Sequence, residues 1–490
     1  MLCLNYKESS KPQSTQLQKK RKTKRRRIVL LLLLVFFLYL GIGAVAPFTK
    51  QPEVSKTTKE SFNPDDYIGS GDGPDRARII KDNKEALDTR LQMIRHAKES
   101  IVMSTFDFRT DEAGKDLLAL LLDAADRGVS VEIFADGFNS WVRMEGNEYF
   151  YALSPHPNVT ITLYNKINPL KPWTIMGRMH DKYLVIDETA YVLGGRNAFG
   201  YFLGDYKGHK NYDWDVLVYN TGSNDSSLYQ ILSYFRTITA EKCCSVFHDK
   251  PSLAKRSSVK KAADELRARA EHLMTENPQL DAKAYDYEGK TEKTHKISLL
   301  HNPIHIFAKE PVVFYQLMEL AKTAKERVTI HTPYAVCNDM MYDSFTELGD
   351  KAEIMFNSAA NNGNLFAAVD YLRQKQKLLD TNMTIMEYEG GVSYHGKTMA
   401  IDDHLAIIGS FNMDMRSTYI DTELMLVIHS EEITKDLREK MNEYEKYAAV
   451  ADTVDTYLPS ESVEMKELPP KKQFVRKWFG WLMDRVRFLF

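Results

Sequence analysis

The sequence predicts an α/β protein made of two similar halves behind a single transmembrane helix. Three observations predict it. The chain has 490 residues, more than one hydrophobic core usually organises. Helical and strand periodicities alternate through most of its length. A signature of ionisable and polar residues also occurs twice, at corresponding places in that alternation.

The elements follow in chain order. Residues 1–27 are a basic tail ending in "KKRKTKRRR", and Ile28 to Phe48 form an uncharged run long enough to span a bilayer. Basic residues before a span hold that end in the cytoplasm, which predicts that residues 49–490 lie on the outer face of a cell membrane. A cleaved signal peptide is the rival, because Ala44-Val45-Ala46 resembles an A-x-A site. The length of the run and Pro47 beyond the bond favour an uncleaved anchor. Residues 49–74, with "NPDD" and "GSGDGPD", read as a linker. The first domain, 75–250, opens with helix "ALDTRLQMIRHAKES", strand "IVMSTFDF" and helix–strand "GKDLLALLLDAADRGVSVEIFADG". A charged connecting helix, "KKAADELRARAEHLMTENPQ", lies in 251–298. The second domain, 299–450, repeats the order with "VVFYQLMELAKTAKER", "VTIHTPYA", "MMYDSFTEL" and "KAEIMFNS". In the tail, 451–490, Phe474, Trp478, Leu482, Val486 and Leu489 share one face of a helix otherwise rich in Lys and Arg. That pattern fits a helix lying in a membrane interface; a terminal helix packed on the domain is the alternative.

Charge is unevenly spread. Residues 1–50 carry eleven Lys/Arg against Glu8, and 471–490 carry six against Asp484, so the 420 residues between them sum to −17. An acidic body disfavours nucleic acid as a partner, because such binding rests on neutralising phosphates. The four cysteines, Cys3, Cys243, Cys244 and Cys337, match no zinc spacing. One disulfide to Cys337 is open to an exported domain. No metal site and no cofactor are expected.

The chemistry sits in the repeated blocks "MHDKYLVIDETAYVLGGRN" (179–197) and "YHGKTMAIDDHLAIIGSFN" (394–412). Both read His-x-Lys-x4-Asp-x6-Gly-(Gly/Ser)-x-Asn. The residues are His180, Lys182, Asp187, Gly194, Gly195 and Asn197, then His395, Lys397, Asp402, Gly409, Ser410 and Asn412. Each block predicts a hairpin whose first strand carries His and Lys on one face. Imidazole can attack phosphorus or, protonated, release a leaving alcohol. Lysine, asparagine and backbone at glycine or serine can hold non-bridging phosphate oxygens. A lone His-x-Lys would read as a surface feature; two complete copies read as the two halves of one phosphodiester site. Asp187 and Asp402 belong to the signature but lie seven residues beyond each histidine, so bonding turn backbone is the work expected of them. Arg416 is open to a phosphate or to Asp414, and Arg196 lies close by.

At these residues the sequence resembles the phospholipase D superfamily, over roughly 75–450. "GSFNMDMRSTYIDTELMLVI", "GGRNAFGYFLGD" with "YDWDVLV", and "HTPYA" look most like bacterial cardiolipin synthases. The resemblance implies two phospholipase D-like α-β-α sandwich domains. It implies that Asp213 and Glu423 each orient one of the histidines, with Asp215 the alternative to Asp213. It further implies a phosphatidyltransferase working through a phosphohistidine. Its substrates would be phospholipids, phosphatidylglycerol and a donor. Hydrolysis of the same intermediate by water is the alternative. Such synthases often begin with two spans, and this chain shows one.

Overall fold

A computed structural model describes residues 13–460 and 462–490, so the first twelve residues of the expected basic tail lie outside it. One helix runs Gln13–Val45 and ends in a 3-10 turn, Ala46–Phe48. Among the described residues it alone is long and apolar enough to cross a membrane, and most of its apolar stretch is exposed. Its last residue is the exception. Phe48 is buried in the second half's core beside Val313, Phe314 and Leu317.

The expected linker is laid along the second half as a strap. Ser55 N donates to Glu310 (2.7 Å), Phe62 packs edge-on against Tyr315, and Gly69 N donates to His429 Nδ1 (3.1 Å). The apolar helix therefore joins the folded body through packed chain.

Each half is built on one mixed sheet. The first orders its strands 292–293, 75–80, 215–220, 190–194, 183–186, 100–105, 130–136, 159–164, 244–246. The second orders them 296–301, 424–429, 405–409, 398–401, 328–331, 352–357, 384–388, 448–450. From the second strand of the first list and the first of the other, the two match strand for strand. Within these two sheets the strands opening at Ser100, Ser130 and Val159, and those opening at Val328, Ala352 and Thr384, pair in parallel, and the other neighbours are antiparallel. Parallel neighbours need a crossover, which helices Glu112–Asp126 and Asp339–Leu348 supply. Asp111 caps the first of these through Gly114 N, and Gly128 follows its end at positive φ.

The helix between the halves, Ser257–Glu276, packs on the first half's outer face. Val259, Ala262, Leu266 and Ala270 recur at helical spacing and are buried in that half's core. The tail helix, Pro470–Val486, docks on helix Leu365–Leu379 through Asp484 and Arg373, with Gly480 where a Cβ would crowd Arg373. Leu489 is buried and Val486 half-buried against the second half's core, unlike the rest of the expected apolar face. Phe474, Trp478, Trp481 and Leu482 point to solvent, so the helix is both docked and amphipathic.

A third core lies between the sheets. Tyr191, Trp214 and Val216 of the first half meet Ala406, Ile408 and Leu426 of the second. The open disulfide does not form: Cys243, Cys244 and Cys337 are free thiols, Cys337 buried.

Candidate active site

Both blocks fold as the predicted hairpins, Tyr183–Ile186 with Ala190–Gly194 and Thr398–Ile401 with Leu405–Gly409. Their first strands begin one residue after the lysines, however. His-x-Lys is the extended entry to each strand, freed from the ladder and able to pair elsewhere. It pairs with the other half. Met179 bridges Thr422, and Ser393–Tyr394 pairs in parallel with Asn211–Tyr212. His180 N donates to Thr422 Oγ1 (3.1 Å), and His395 N to Tyr212 O (2.6 Å).

The same crossing fixes the imidazoles. His180 Nδ1 lies 2.9 Å from Glu423 Oε1, and His395 Nδ1 lies 2.6 Å from Asp213 Oδ2. Each carboxylate thus belongs to the opposite half from the histidine it holds, an arrangement that spacing within one half cannot reveal. With Nδ1 taken, Nε2 is the nitrogen left for a substrate. Lys182 and Lys397 are buried beside them, each ammonium bonded to the carbonyl of its own histidine. Phe106 and Phe202 stand edge-on to His180 and His395, both at 5.0 Å, and wedge the rings. Sequence reasoning missed both; their only signal was an aromatic just past a strand and another in the run after the first motif.

Other signature residues take work away from a phosphate. Asp187 accepts from Lys98 N, Glu99 N and Ser100 N, and Asp402 accepts from Lys325 N, Glu326 N and Arg327 N, all at 2.7–2.9 Å. Both sit at positive φ in the hairpin turns, at the far end of a four-residue strand (roughly 13 Å long) that itself starts three residues beyond each histidine. They are turn-holding groups, outside the reacting centre. Gly195 is where a Cβ would fall 2.2 Å from Asp213 Oδ1, and Ser410 in its place in the other half donates to Glu423 Oε2 (2.5 Å). Glycine beside Asp213 and serine beside Glu423 thus serve the carboxylates. Asn197 accepts from Asp107 N (3.3 Å), leaving its amide donors to offer. Asn412 Nδ2 reaches Ser417 Oγ (3.4 Å).

Asp215, the alternative to Asp213, is buried between Arg90 (2.9 Å) and Arg196 (3.2 Å), away from either imidazole. Arg196 also donates to Ile80 O and Phe202 O. Arg416 pairs with Asp421 (2.9 Å) in place of Asp414 and donates to Met176 O and Leu489 O, so its guanidinium is a clip joining three segments.

Electrostatics break the symmetry of the halves. Burial, with Lys182 and Lys397 adding, holds His180 well below its ordinary value, while burial pushes Glu423 well above its own. Burial and Lys397 bring His395 down to about 4, with Asp213 opposing. Burial would raise Asp213, but Lys397 and His395 outweigh it and keep that carboxyl low. Burial takes Lys182 down to about 7, Glu423 opposing. The two pairs are thus biased oppositely: the carboxyl beside His180 is pushed toward its protonated form and the one beside His395 toward its ionised form.

Comparison with known proteins agrees with this construction. The family model described as "Cardiolipin synthase, PLD-like domain" matches residues 91–237 and 317–444, together more than half of the chain. A cardiolipin synthase of Staphylococcus aureus is 24% identical over 367 residues, 74% of this chain and 65% of that one. Cardiolipin synthase C of Escherichia coli is 23% identical over 405 residues, 73% of this chain and 82% of that one. Among solved structures, phosphatidylserine synthase of Haemophilus influenzae superposes with a TM-score of 0.60 at 16% identity. It covers 85% of this chain and 95% of its own, a likeness of fold.

Proposed function

Because the chain belongs to the cardiolipin synthase, PLD-like domain family of the phospholipase D superfamily, we propose that it is a membrane-anchored phosphatidyltransferase. It moves a phosphatidyl group from a phospholipid donor to the primary hydroxyl of phosphatidylglycerol, making cardiolipin and releasing the donor's headgroup alcohol. The reading rests most on one observation: two His–carboxylate pairs, each assembled across the seam between the halves.

The chemistry follows from those atoms. Nε2 of one histidine attacks phosphorus and the bond from phosphorus to the headgroup oxygen breaks. The other histidine gives that oxygen its proton, leaving a phosphatidyl-histidine and a free alcohol. The second histidine, now neutral, takes the proton of the incoming glycerol hydroxyl, whose oxygen displaces the histidine from phosphorus. Lys182 and Lys397 face the charge gathering on the non-bridging oxygens. The span Ile28–Phe48, with basic residues before it, fits a cytoplasmic N-terminus and catalytic halves on the outer face.

Mass spectrometry of lipids from cells expressing the chain tests this. The expected result is cardiolipin gained with the wild type and lost with both His180→Ala and His395→Ala. Phosphatidic acid without cardiolipin would replace the transferase by a hydrolase, and activity persisting in both variants would end the two-histidine scheme.

A further inference from the structure

The loop that leads into the first histidine is tied to the membrane anchor. Residues 166–177 connect strand Val159–Tyr164 to Arg178, Met179 and His180. Asn165, at positive φ, pins the base of the loop shut: its Nδ2 donates to Thr174 O (2.6 Å) and Gly177 O (2.8 Å). The tip then lies against the anchor helix. Tyr39 OH donates to Leu170 O (2.8 Å), and Pro172 packs where a Cβ on Gly43 would come within 2.5 Å.

Tyr39 is six residues inside the helix end at Val45, about 9 Å along its axis. The tip therefore reaches back alongside the apolar run, past the point where the anchor leaves the body. Its surface suits that depth. Leu170 is 77% exposed and Trp173 39%, with Lys166 and Lys171 exposed beside them. In water these would be unsheltered apolar groups. In a leaflet, leucine meets acyl chains, tryptophan sits at the headgroup boundary and the lysines meet anionic phosphates. The anchor cannot swing free of this arrangement, because Phe48 is locked into the second core.

We infer that residues 166–175 are inserted into the leaflet nearest the folded halves, so that the bilayer itself is the partner of this loop. The inference rests on reading Ile28–Phe48 as a span. Since the loop runs directly into His180, its insertion sets the site at the depth of the lipid phosphates.

Single-cysteine probes test it in the full chain, with Cys3, Cys243 and Cys244 replaced and the buried Cys337 kept. Leu34→Cys in the anchor, Leu170→Cys in the loop and Asp403→Cys in the far hairpin turn each carry an environment-sensitive fluorophore. The protein is placed in vesicles of phosphatidylglycerol and phosphatidylcholine containing acyl-brominated lipid. Strong quenching at 34 and 170 with none at 403 is expected. Quenching at 34 alone overturns loop insertion and leaves the span standing. No quenching at 34 or 170 overturns both, and quenching at 403 equal to that at 170 overturns the loop's special placement.

Discussion

Asp213 and Glu423 are the residues on which the site's proton balance depends, and each answers to a pH measurement. The free-enzyme profile of kcat/KM should be bell-shaped. Its acid limb lies at about 4, where His395 takes up a proton, and its alkaline limb at about 7, where Lys182 loses one. The alkaline sign follows from charge: rising pH strips the ammonium that faces the phosphate, so Lys182→Arg should move that limb upward. Asp213 holds the pKa of His395 up, so Asp213→Asn should move the acid limb lower and reduce kcat by roughly 10²–10⁴, as loss of an orienting carboxylate does. Glu423→Gln should slow the enzyme without moving that limb. A limb that moved with Glu423→Gln instead would mean the pairs are not crossed. The ionisable residues of the site were legible because their types and spacing repeat. Which acid serves which histidine was not, because pairing across about two hundred residues is decided by how the sheets meet.

The hairpin is the element that carries each half-site, and its turn aspartate keeps the next strand in register. Asp402→Ala leaves three backbone N–H groups without their acceptor and should cost about 1–3 kcal/mol in a denaturant titration, with activity per folded molecule unchanged. Burial would raise the Asp402 carboxyl, but these N–H groups outweigh it and hold the pKa below its ordinary value. Its contribution is thus present above the unfolded carboxylate pKa and lost as pH falls through the lower folded one. The gap between wild type and variant should close in acid. A loss of turnover in the folded Asp402→Ala protein would return this residue to the chemistry. Both hairpins could be read from alternation and turn residues. The histidines' position outside the ladder could not, since extended chain has the same period whether or not a strand partner continues beside it. The tail helix shows the same limit: its apolar face was visible in the sequence, but docking through Gly480 and Asp484 depends on Arg373, a hundred residues away.

The whole molecule is held together by the core between its sheets, and the site lies on that seam. Trp214, one residue from Asp213, is fully enclosed there and donates to Tyr394 OH (2.6 Å), one residue from His395. Trp214→Ala should cost about 3–5 kcal/mol and lower turnover as well, because the cavity loosens both strands that carry the second pair. A shift in denaturation midpoint with full activity would argue that the seam and the site are independent. Duplication was legible from the repeated signature and matching element order. The strap of residues 49–74 was not, because its polar composition resembles a free linker and its contacts, two hydrogen bonds and the packing of Phe62 among them, are to distant partners. The central claim is that two histidines from two halves share one phosphoryl group, and covalent trapping tests it most directly. Rapid acid-free quenching with phosphorus-labelled phosphatidylglycerol, followed by peptide mapping, should find label on one of His180 and His395. The label should vanish when that residue is Ala and form more slowly when the other is, because the other also protonates the leaving alcohol. Turnover with no labelled histidine, or label on both residues independently of each other, would contradict the account.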